Sequence, residues 1–99
     1  MLTTKQRAQL RAMANTLPDT LIIGKEGVTD AVEHELDVLL ESHELVKGKV
    51  LESAMLTPRT VSEALCQACR ANPVQVIGSK FVIYRPASDK DKRKIVLVK

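Results

Sequence analysis

The sequence predicts an α/β fold, an α+β two-layer sandwich in which helices pack on one or both faces of a mixed four-stranded sheet. Helix-like and strand-like apolar patterns follow one another in the order α-β-α-β-α-β-β, which is typical of this class. The chain has 99 residues, of which 44% are hydrophobic and 27% charged. That length and composition suit one globular domain with a single core. We expect this domain over residues 1–87, followed by a charged extension over residues 88–99.

The first helix is expected from Thr4 to about Asn15. Thr3 or Thr4 can cap its start, and Pro18 ends the helical pattern. The apolar run Leu21–Ile23 then predicts a buried strand. This strand breaks at Gly24–Gly27, where two glycines enclose a lysine and a glutamate. We call this segment the glycine loop.

The second helix is expected from about Thr29 to Ser42, with Thr29 as its N-cap. Its apolar residues recur on one helical face: Val28, Val32, Leu36, Leu39 and Leu40. A strand is then expected over residues 45–52. Because side chains alternate along a strand, Lys47 and Lys49 must project from the same face.

Thr57 followed by Pro58 is a signal for the start of the third helix. This helix is expected to end at Asn72–Pro73, and these residues are expected to face inward: Val61, Ala64, Leu65, Ala68 and Cys69. Two further strands, over residues 74–77 and 81–85, are separated by a short glycine-containing turn typical of a hairpin. The β-prone residues 95–98 are expected either to add an edge strand or to hang free.

The glycine loop lies between a strand and a helix, a place where backbone amides often bind phosphate. Glycines let a partner approach the backbone closely, and Lys25 adds a positive charge at the tip. The loop is too short for a nucleotide-binding P-loop and lacks the third glycine of a dinucleotide-binding motif. At this point, contact with phosphate or nucleic acid and an ordinary structural turn both remain open.

The net charge of +3 is divided unevenly along the chain. Seven acidic residues and no lysine or arginine lie between Glu26 and Glu44, a net charge of −7, whereas the rest of the chain carries +10. Taken alone, an acidic helix face is usually only solvated. Together with the basic remainder, it indicates a surface that binds an RNA or DNA backbone. The residues expected on this surface are Lys5, Arg7, Arg11, Lys25, Lys47 and Lys49, joined by Arg59, Lys80 and Arg85.

Other chemistries have little support in the sequence. Cys66 and Cys69 fall inside the third helix, so we expect buried, reduced thiols rather than a metal or redox site. His34 and His43 are not spaced as a pair of metal ligands and are expected on the surface. No motif of a hydrolase nucleophile or a metalloprotease is present in the sequence, and we expect no enzymatic activity, cofactor or small-molecule substrate.

Two absences in the sequence restrict the partners further. Aromatic residues are only 2% of the chain, which argues against a module that stacks single-stranded bases on exposed rings. No apolar run approaches the ~20 residues of a membrane span, and no secretory signal is recognisable. A cytoplasmic monomer without a membrane partner is therefore expected.

Four blocks of the chain together resemble the CRM domain, named for chloroplast RNA splicing and ribosome maturation. The blocks are LTxKQRxxLRAxA from Leu2, IGKxGVT from Ile23, HELVKxKV from His43 and VIGxKxVIYR from Val76. They occur in order and with matching spacing over about residues 2–86. A chain that holds one such domain and little else resembles the stand-alone bacterial YhbY type.

The resemblance implies a fold similar to the C-terminal domain of bacterial translation initiation factor three. It also implies RNA binding, with rRNA and precursors of the large ribosomal subunit as partners. The glycine loop (Gly24, Lys25, Glu26 and Gly27) would contact RNA as the GxxG loop of KH domains does. The chain departs from the pattern at two positions. Glu26 should repel phosphate where many relatives carry a neutral, small or basic residue, and Gly48 should weaken a strand where a β-branched residue is more usual.

The resemblance and the charge pattern together predict a protein that assembles the large ribosomal subunit by recognising the rRNA backbone. The expected RNA-binding residues are the glycine loop with Lys5, Arg7, Arg11, Lys47, Lys49, Lys80 and Arg85. The alternative is a protein-interaction module whose acidic second helix docks a basic ribosomal protein or assembly factor.

Overall fold

Three α-helices and four β-strands make up the fold in a computed structural model that describes residues 2–99. In chain order they are α1 (Thr4–Ala14), β1 (Leu21–Ile23), α2 (Asp30–His43), β2 (Leu45–Val50), α3 (Pro58–Cys69), β3 (Asn72–Ile77) and β4 (Lys80–Tyr84). The four strands form one sheet in the order β1-β2-β4-β3. β1 pairs with β2 in parallel, and the other two pairings are antiparallel. The predicted class, element order and mixed sheet are confirmed.

The starts of all three helices are fixed by local hydrogen bonds. The Thr3 hydroxyl accepts from the amide of Gln6 and the Gln6 side chain accepts from the amide of Thr3, each at 3.1 Å. Thr29 and Thr57 likewise accept from the amides three residues further on. Such caps satisfy amides that the helix itself cannot pair, which is why the helix starts could be predicted from sequence.

Helices cover both faces of the sheet. One face packs against α2 and α3, with a core of Leu21, Ile23, Leu36, Leu40, Val46, Val50, Val61, Leu65, Cys66, Cys69, Phe81 and Ile83. The other face packs against α1, with a core of Leu10, Ala14, Leu45, Val74, Val82 and Tyr84. Because α1 lies on the opposite face from the other two helices, the sheet is the middle layer, which is the second of the two expected arrangements, with helices on both faces.

The inward face of α3 differs from the prediction. Ser62 and Cys66 are buried beside Val61 and Leu65, whereas Ala64 and Ala68 are exposed. Residues four apart lie on one stripe of a helix. The stripe of Ser62 and Cys66 lies on one side of Val61 and Leu65 and is buried, whereas the expected stripe of Ala64 and Ala68 lies on the other side. The two cysteines are free and buried, which confirms their expected position.

The segment after β4 is anchored by a buried carboxylate at the end of α2. Glu44 has a positive φ of +66°, and its side chain accepts hydrogen bonds from the amides of Ala87, Lys94 and Ile95. Burial alone would raise the pKa of Glu44, but these three donors together lower it below its ordinary value. A charged acid thus holds the start of the C-terminal extension against the domain.

The last residues lie along α1 and are neither an added strand nor free. The side-chain amide of Gln9 donates to the Val96 carbonyl at 2.8 Å and accepts from the amide of Val98 at 2.9 Å. Gln6 donates to the Val98 carbonyl at 2.9 Å. Within residues 2–99, none of the helices has the length and apolar character needed to span a membrane.

Candidate nucleic-acid interface

Three connections meet at one end of the sheet. The glycine loop follows β1, and the amide of Leu51, just beyond β2, donates to the carbonyl of Ile23 at 2.9 Å. The amide of Val50 donates to the carbonyl of Ser79, in the β3–β4 turn, at 2.8 Å. These bonds hold the glycine loop, the segment after β2 and the hairpin turn side by side.

The glycine loop is a tight turn in which the two glycines have different roles. The amide of Gly27 donates to the carbonyl of Gly24 at 2.9 Å. Gly27 has φ +71°, a conformation that side chains rarely adopt. A Cβ on Gly24 would instead meet only Cδ1 of Leu51 at 3.8 Å, an ordinary contact. Gly27 is therefore required by the turn, whereas Gly24 leaves room for a side chain.

Lys25 and Glu26 are exposed at the tip of the glycine loop. Within residues 2–99, neither takes part in an ion pair. The start of α2, which follows the loop, is less available to an anion, because Thr29 already caps it and Asp30 and Glu33 lie in its first turn. These acids occupy the positive end of the helix dipole. An anion would therefore bind the loop amides and Lys25 in preference to the helix start.

A row of four residues crosses the sheet at this same end. Pairing aligns Ile22 with Lys49, Lys49 with Lys80, and Lys80 with Ile77. All four lie on the α1 face, but none belongs to the core under α1. We call this set the lysine row. The Lys80 ammonium pairs with Asp19 at 3.2 Å while its side chain stays 40% exposed.

Lys47 lies on the same face as the lysine row but makes a structural contact. Its ammonium donates to the carbonyl of Ala14 at 3.3 Å, at the end of α1. A cation at this position satisfies a carbonyl that the helix leaves unpaired. Lys47 therefore joins α1 to the sheet and can still add positive charge beside the row.

The basic residues of α1 divide between two sides of the helix. Arg7 and Arg11 are four residues apart and share a stripe. Arg7 and Arg59 line a groove of about 260 Å³ along the edge strand β3. Lys5 lies about 140° around the helix from the buried Leu10 and points outward. The structure thus places Arg7 and Arg59 at the β3 edge and leaves Lys5 on the outer surface of α1.

Arg85 is not brought to this surface. Its guanidinium pairs with Asp37 at 2.8 Å and Glu41 at 3.2 Å, both on α2, and donates to the carbonyl of Cys69 at 2.9 Å. The Arg85 side chain is only 15% exposed. These contacts join the end of β4 to α2 and α3, so the arginine neutralises part of the acidic helix.

Three aliphatic residues next to the glycine loop were not singled out from the sequence. Leu51, Met55 and Leu56 follow β2 and are partly or fully exposed. A Cβ on Gly27 would lie 3.4 Å from Cδ1 of Leu56 and one on Gly24 3.8 Å from Cδ1 of Leu51, so these two leucines border the loop directly. The available sequence signal was a cluster of apolar residues in a loop, where burial is not expected.

Neither aromatic ring is available for stacking, because Phe81 and Tyr84 are both buried. Both thiols are also withdrawn from solvent, and burial raises the pKa of Cys66 to about 11. Within residues 2–99, no group of three or more His, Cys, Asp or Glu side chains is placed to hold a metal ion. The surface described above is therefore cationic and aliphatic in character.

The match to a known family covers most of the chain. A sequence model of the CRS1 / YhbY (CRM) domain matches residues 2–85. The chain belongs to the CRS1/YhbY family. A Haemophilus influenzae protein named "RNA-binding protein" is 34% identical over 88 residues, which are 89% of each chain. "Probable RNA-binding protein YqeI" of Bacillus subtilis is 36% identical over 89 residues, 90% of this chain and 93% of that one.

The CRM fold of this chain is also similar to a solved structure. The solution structure of the Staphylococcus aureus protein SAV1595 matches with a TM-score of 0.75 and 34% sequence identity. The match covers 97% of this chain and 100% of that protein. The family is therefore shown by the sequence comparison, and the structure comparison supports the fold.

Proposed function

We propose that this protein binds RNA through the glycine loop and the lysine row, and that it acts in assembly of the large ribosomal subunit. The observation that carries the proposal is the joint position of Lys25, Lys49 and Lys80 at one end of the sheet. Glu26 in the glycine loop and Asp30 and Glu33 in the first turn of α2 also lie near this end, whereas the other acidic side chains of α2 lie further along the helix. The names of the two relatives, both RNA-binding proteins, support the same ligand.

The proposed mechanism is recognition of the RNA backbone. Amides of the glycine loop donate to one phosphate, and the lysines of the row attract the phosphates that flank it. Lys47, Arg7 and Arg11 extend the positive surface along the sheet and α1. Because both aromatic rings are buried, phosphate contacts dominate, and these contacts carry little sequence information.

The salt dependence of the affinity tests this mechanism. Contact with about five phosphates gives a slope of log K against log salt of roughly −3 to −4 for single strands. The measurement is a titration of single-stranded RNA at several salt concentrations, read by fluorescence anisotropy. An affinity that does not change with salt would rule out backbone recognition.

Substitution in the glycine loop tests the location of the site. Gly24→Asp adds a negative charge where a side chain has room, so RNA binding should fall at least tenfold without unfolding. Gly27→Asp is less informative alone, because φ +71° strains any side chain there. Ala68→Asp, on the exposed face of α3, is the matched control and should bind RNA normally. Full binding by Gly24→Asp would place the site elsewhere.

The role in ribosome assembly is tested by sedimentation of cell extracts with and without ribonuclease. Migration with large-subunit precursors that depends on RNA supports the proposal. A complex that resists ribonuclease would instead favour docking of a basic protein on the acidic α2. Crosslinking followed by sequencing of the attached RNA then identifies the rRNA element.

A further inference from the structure

We propose that Leu51, Met55 and Leu56 form a binding surface for one unstacked nucleobase of single-stranded RNA. We call these three residues the aliphatic shelf. The inference rests on the proposed function, since the same RNA strand would have its phosphate on the glycine loop. It adds base contact to a surface that otherwise recognises only phosphates.

The first observation is the exposure of the shelf. Met55 is 91% exposed, and Leu51 and Leu56 are 38% and 40% exposed. Three large aliphatic side chains within six residues are thus all open to solvent and form an exposed apolar cluster in the sequence beside the glycine loop. Such patches on small domains commonly mark binding surfaces.

The second observation is the backbone conformation of Met55. Its φ of +55° is left-handed, which glycine or asparagine adopts at lower cost. The amide of Met55 donates to Glu52 and that of Ala54 donates to Leu51, both at 3.0 Å, so a turn of 3-10 helix holds this conformation. Ala54 packs against the core. The methionine side chain is thus presented outward by a fixed backbone.

The third observation is the contact between the shelf and the glycine loop. Cδ1 of Leu51 lies 3.8 Å from a Cβ position on Gly24, and Cδ1 of Leu56 lies 3.4 Å from one on Gly27. The base of a nucleotide is joined through its sugar to the adjacent phosphate. A phosphate on the loop amides therefore brings a neighbouring base to the shelf.

The chemistry of the patch favours a base over the other components of RNA. The shelf is apolar, and Glu52 begins its turn, so a phosphate there would be repelled while an uncharged base would not. Methionine sulfur makes favourable contacts with aromatic rings, which gives the shelf a means to hold a base where no exposed protein ring does so. Lys25, at the border of the shelf, supplies the charge that draws the strand to it.

The test compares two single-stranded RNAs at one salt concentration. One is an oligouridylate of about 12 nucleotides, and the other has the same sugar–phosphate backbone without bases. The native protein should bind the first about three- to tenfold more tightly, since sulfur–aromatic contact and burial of a base are worth roughly this factor. Met55→Gly should abolish the preference and leave affinity for the baseless strand unchanged. Because glycine accepts φ +55°, this variant should melt no lower than the native protein.

Val96→Ala is the control, since Val96 is 84% exposed but lies on the C-terminal segment. Its preference for bases should match that of the native protein. Equal binding of the two strands by the native protein, or a full preference in Met55→Gly, would overturn the shelf while leaving phosphate recognition intact. Failure of the proposed function would differ, since neither strand would then bind in a salt-dependent way. The proposal would also be overturned if the native protein self-associates, and if Met55→Gly abolishes this association while RNA binding is unchanged. The shelf would then bind a second copy of the chain and not RNA.

Discussion

The ring of Phe81 lies directly over Gly48. The two residues pair across β2 and β4, and a Cβ on Gly48 would lie only 2.3 Å from Cζ of Phe81. The sequence suggested that Gly48 weakens the strand. The structure shows instead that the position requires a residue without a Cβ. Its missing side chain makes the space in which the larger of the two core clusters places its one aromatic ring.

Gly48→Val should lower the free energy of unfolding by about 2–3 kcal/mol, because overpacking forces the Phe81 ring out of place. Urea denaturation measures the change. Gly48→Ala should also destabilise the fold, and combining it with Phe81→Leu should restore part of that loss. Gly24→Ala is the matched control, since its Cβ has room, and should be close to neutral. Native stability in Gly48→Val would contradict this account of the packing.

Glu44→Gln should lower the free energy of unfolding by about 1–3 kcal/mol near neutral pH, because an amide cannot accept all three backbone donors. The pH dependence should also change. The pKa of Glu44 is lower in the folded state, so its contribution is present above pH 4.5 and is lost as the pH falls through the folded value. Glu44→Gln should therefore lose less stability on acidification than the native protein or the exposed control Glu63→Gln. Equal losses would show that Glu44 is not the group that titrates.

Arg85→Gln should destabilise the fold and leave RNA affinity unchanged. Loss of the guanidinium leaves the Asp37 carboxylate and the Cys69 carbonyl without this donor and Glu41 with the amide of Ser88, at a cost of about 2 kcal/mol. Lys25→Ala provides the opposite pattern, with weaker RNA binding and an unchanged melting temperature. A large loss of affinity in folded Arg85→Gln would return this residue to the RNA-binding surface.

Glu26→Gln should strengthen RNA binding about two- to threefold. A carboxylate about 8 Å from a phosphate in water costs roughly 0.5 kcal/mol, and the amide removes that repulsion. The effect should shrink as salt is added. Glu35→Gln removes the same charge from α2 and is expected to change nothing. A decrease in affinity for Glu26→Gln would indicate that the carboxylate contacts RNA as an acceptor.

The two thiols should react slowly in the folded protein. Burial raises the pKa of Cys66 to about 11 and that of Cys69 in the same direction. Only the thiolate is reactive, and at pH 8 about one Cys66 in a thousand is ionised. A thiol-specific reagent should modify both cysteines at once when urea is added. Rapid modification without denaturant would show that α3 opens locally.

Local signals allowed most of the fold to be predicted from the sequence. Thr3, Thr29 and Thr57 each cap a helix through a residue three positions away, so the pattern that defines them is contained in a few residues. The strand pattern of β2 was equally local. The position of α1 opposite the other helices could not be predicted from local signals. It depends on which of the two core clusters packs on which face of the sheet.

The candidate site was predictable in the glycine loop, where the charged residue and the glycines that shape the backbone are neighbours in the sequence. It was not predictable for Arg85, whose partners Asp37 and Glu41 lie 48 and 44 residues away in the chain. A basic residue near an RNA-binding motif has the same sequence signature whether it meets phosphate or a carboxylate. The exposure of Met55 could not be predicted for a similar reason, since the sequence does not show whether an apolar residue in a loop is buried or exposed.

The C-terminal segment is held to α1 by the side chains of Gln6 and Gln9 rather than by a strand ladder. Its backbone can therefore detach without breaking any bond of the sheet. In a hydrogen-exchange experiment the amide of Val98 would exchange through this local opening, whereas the amides of β4 would exchange only through global unfolding. The domain thus carries two levels of protection, and the outer one can be released while the fold stays intact.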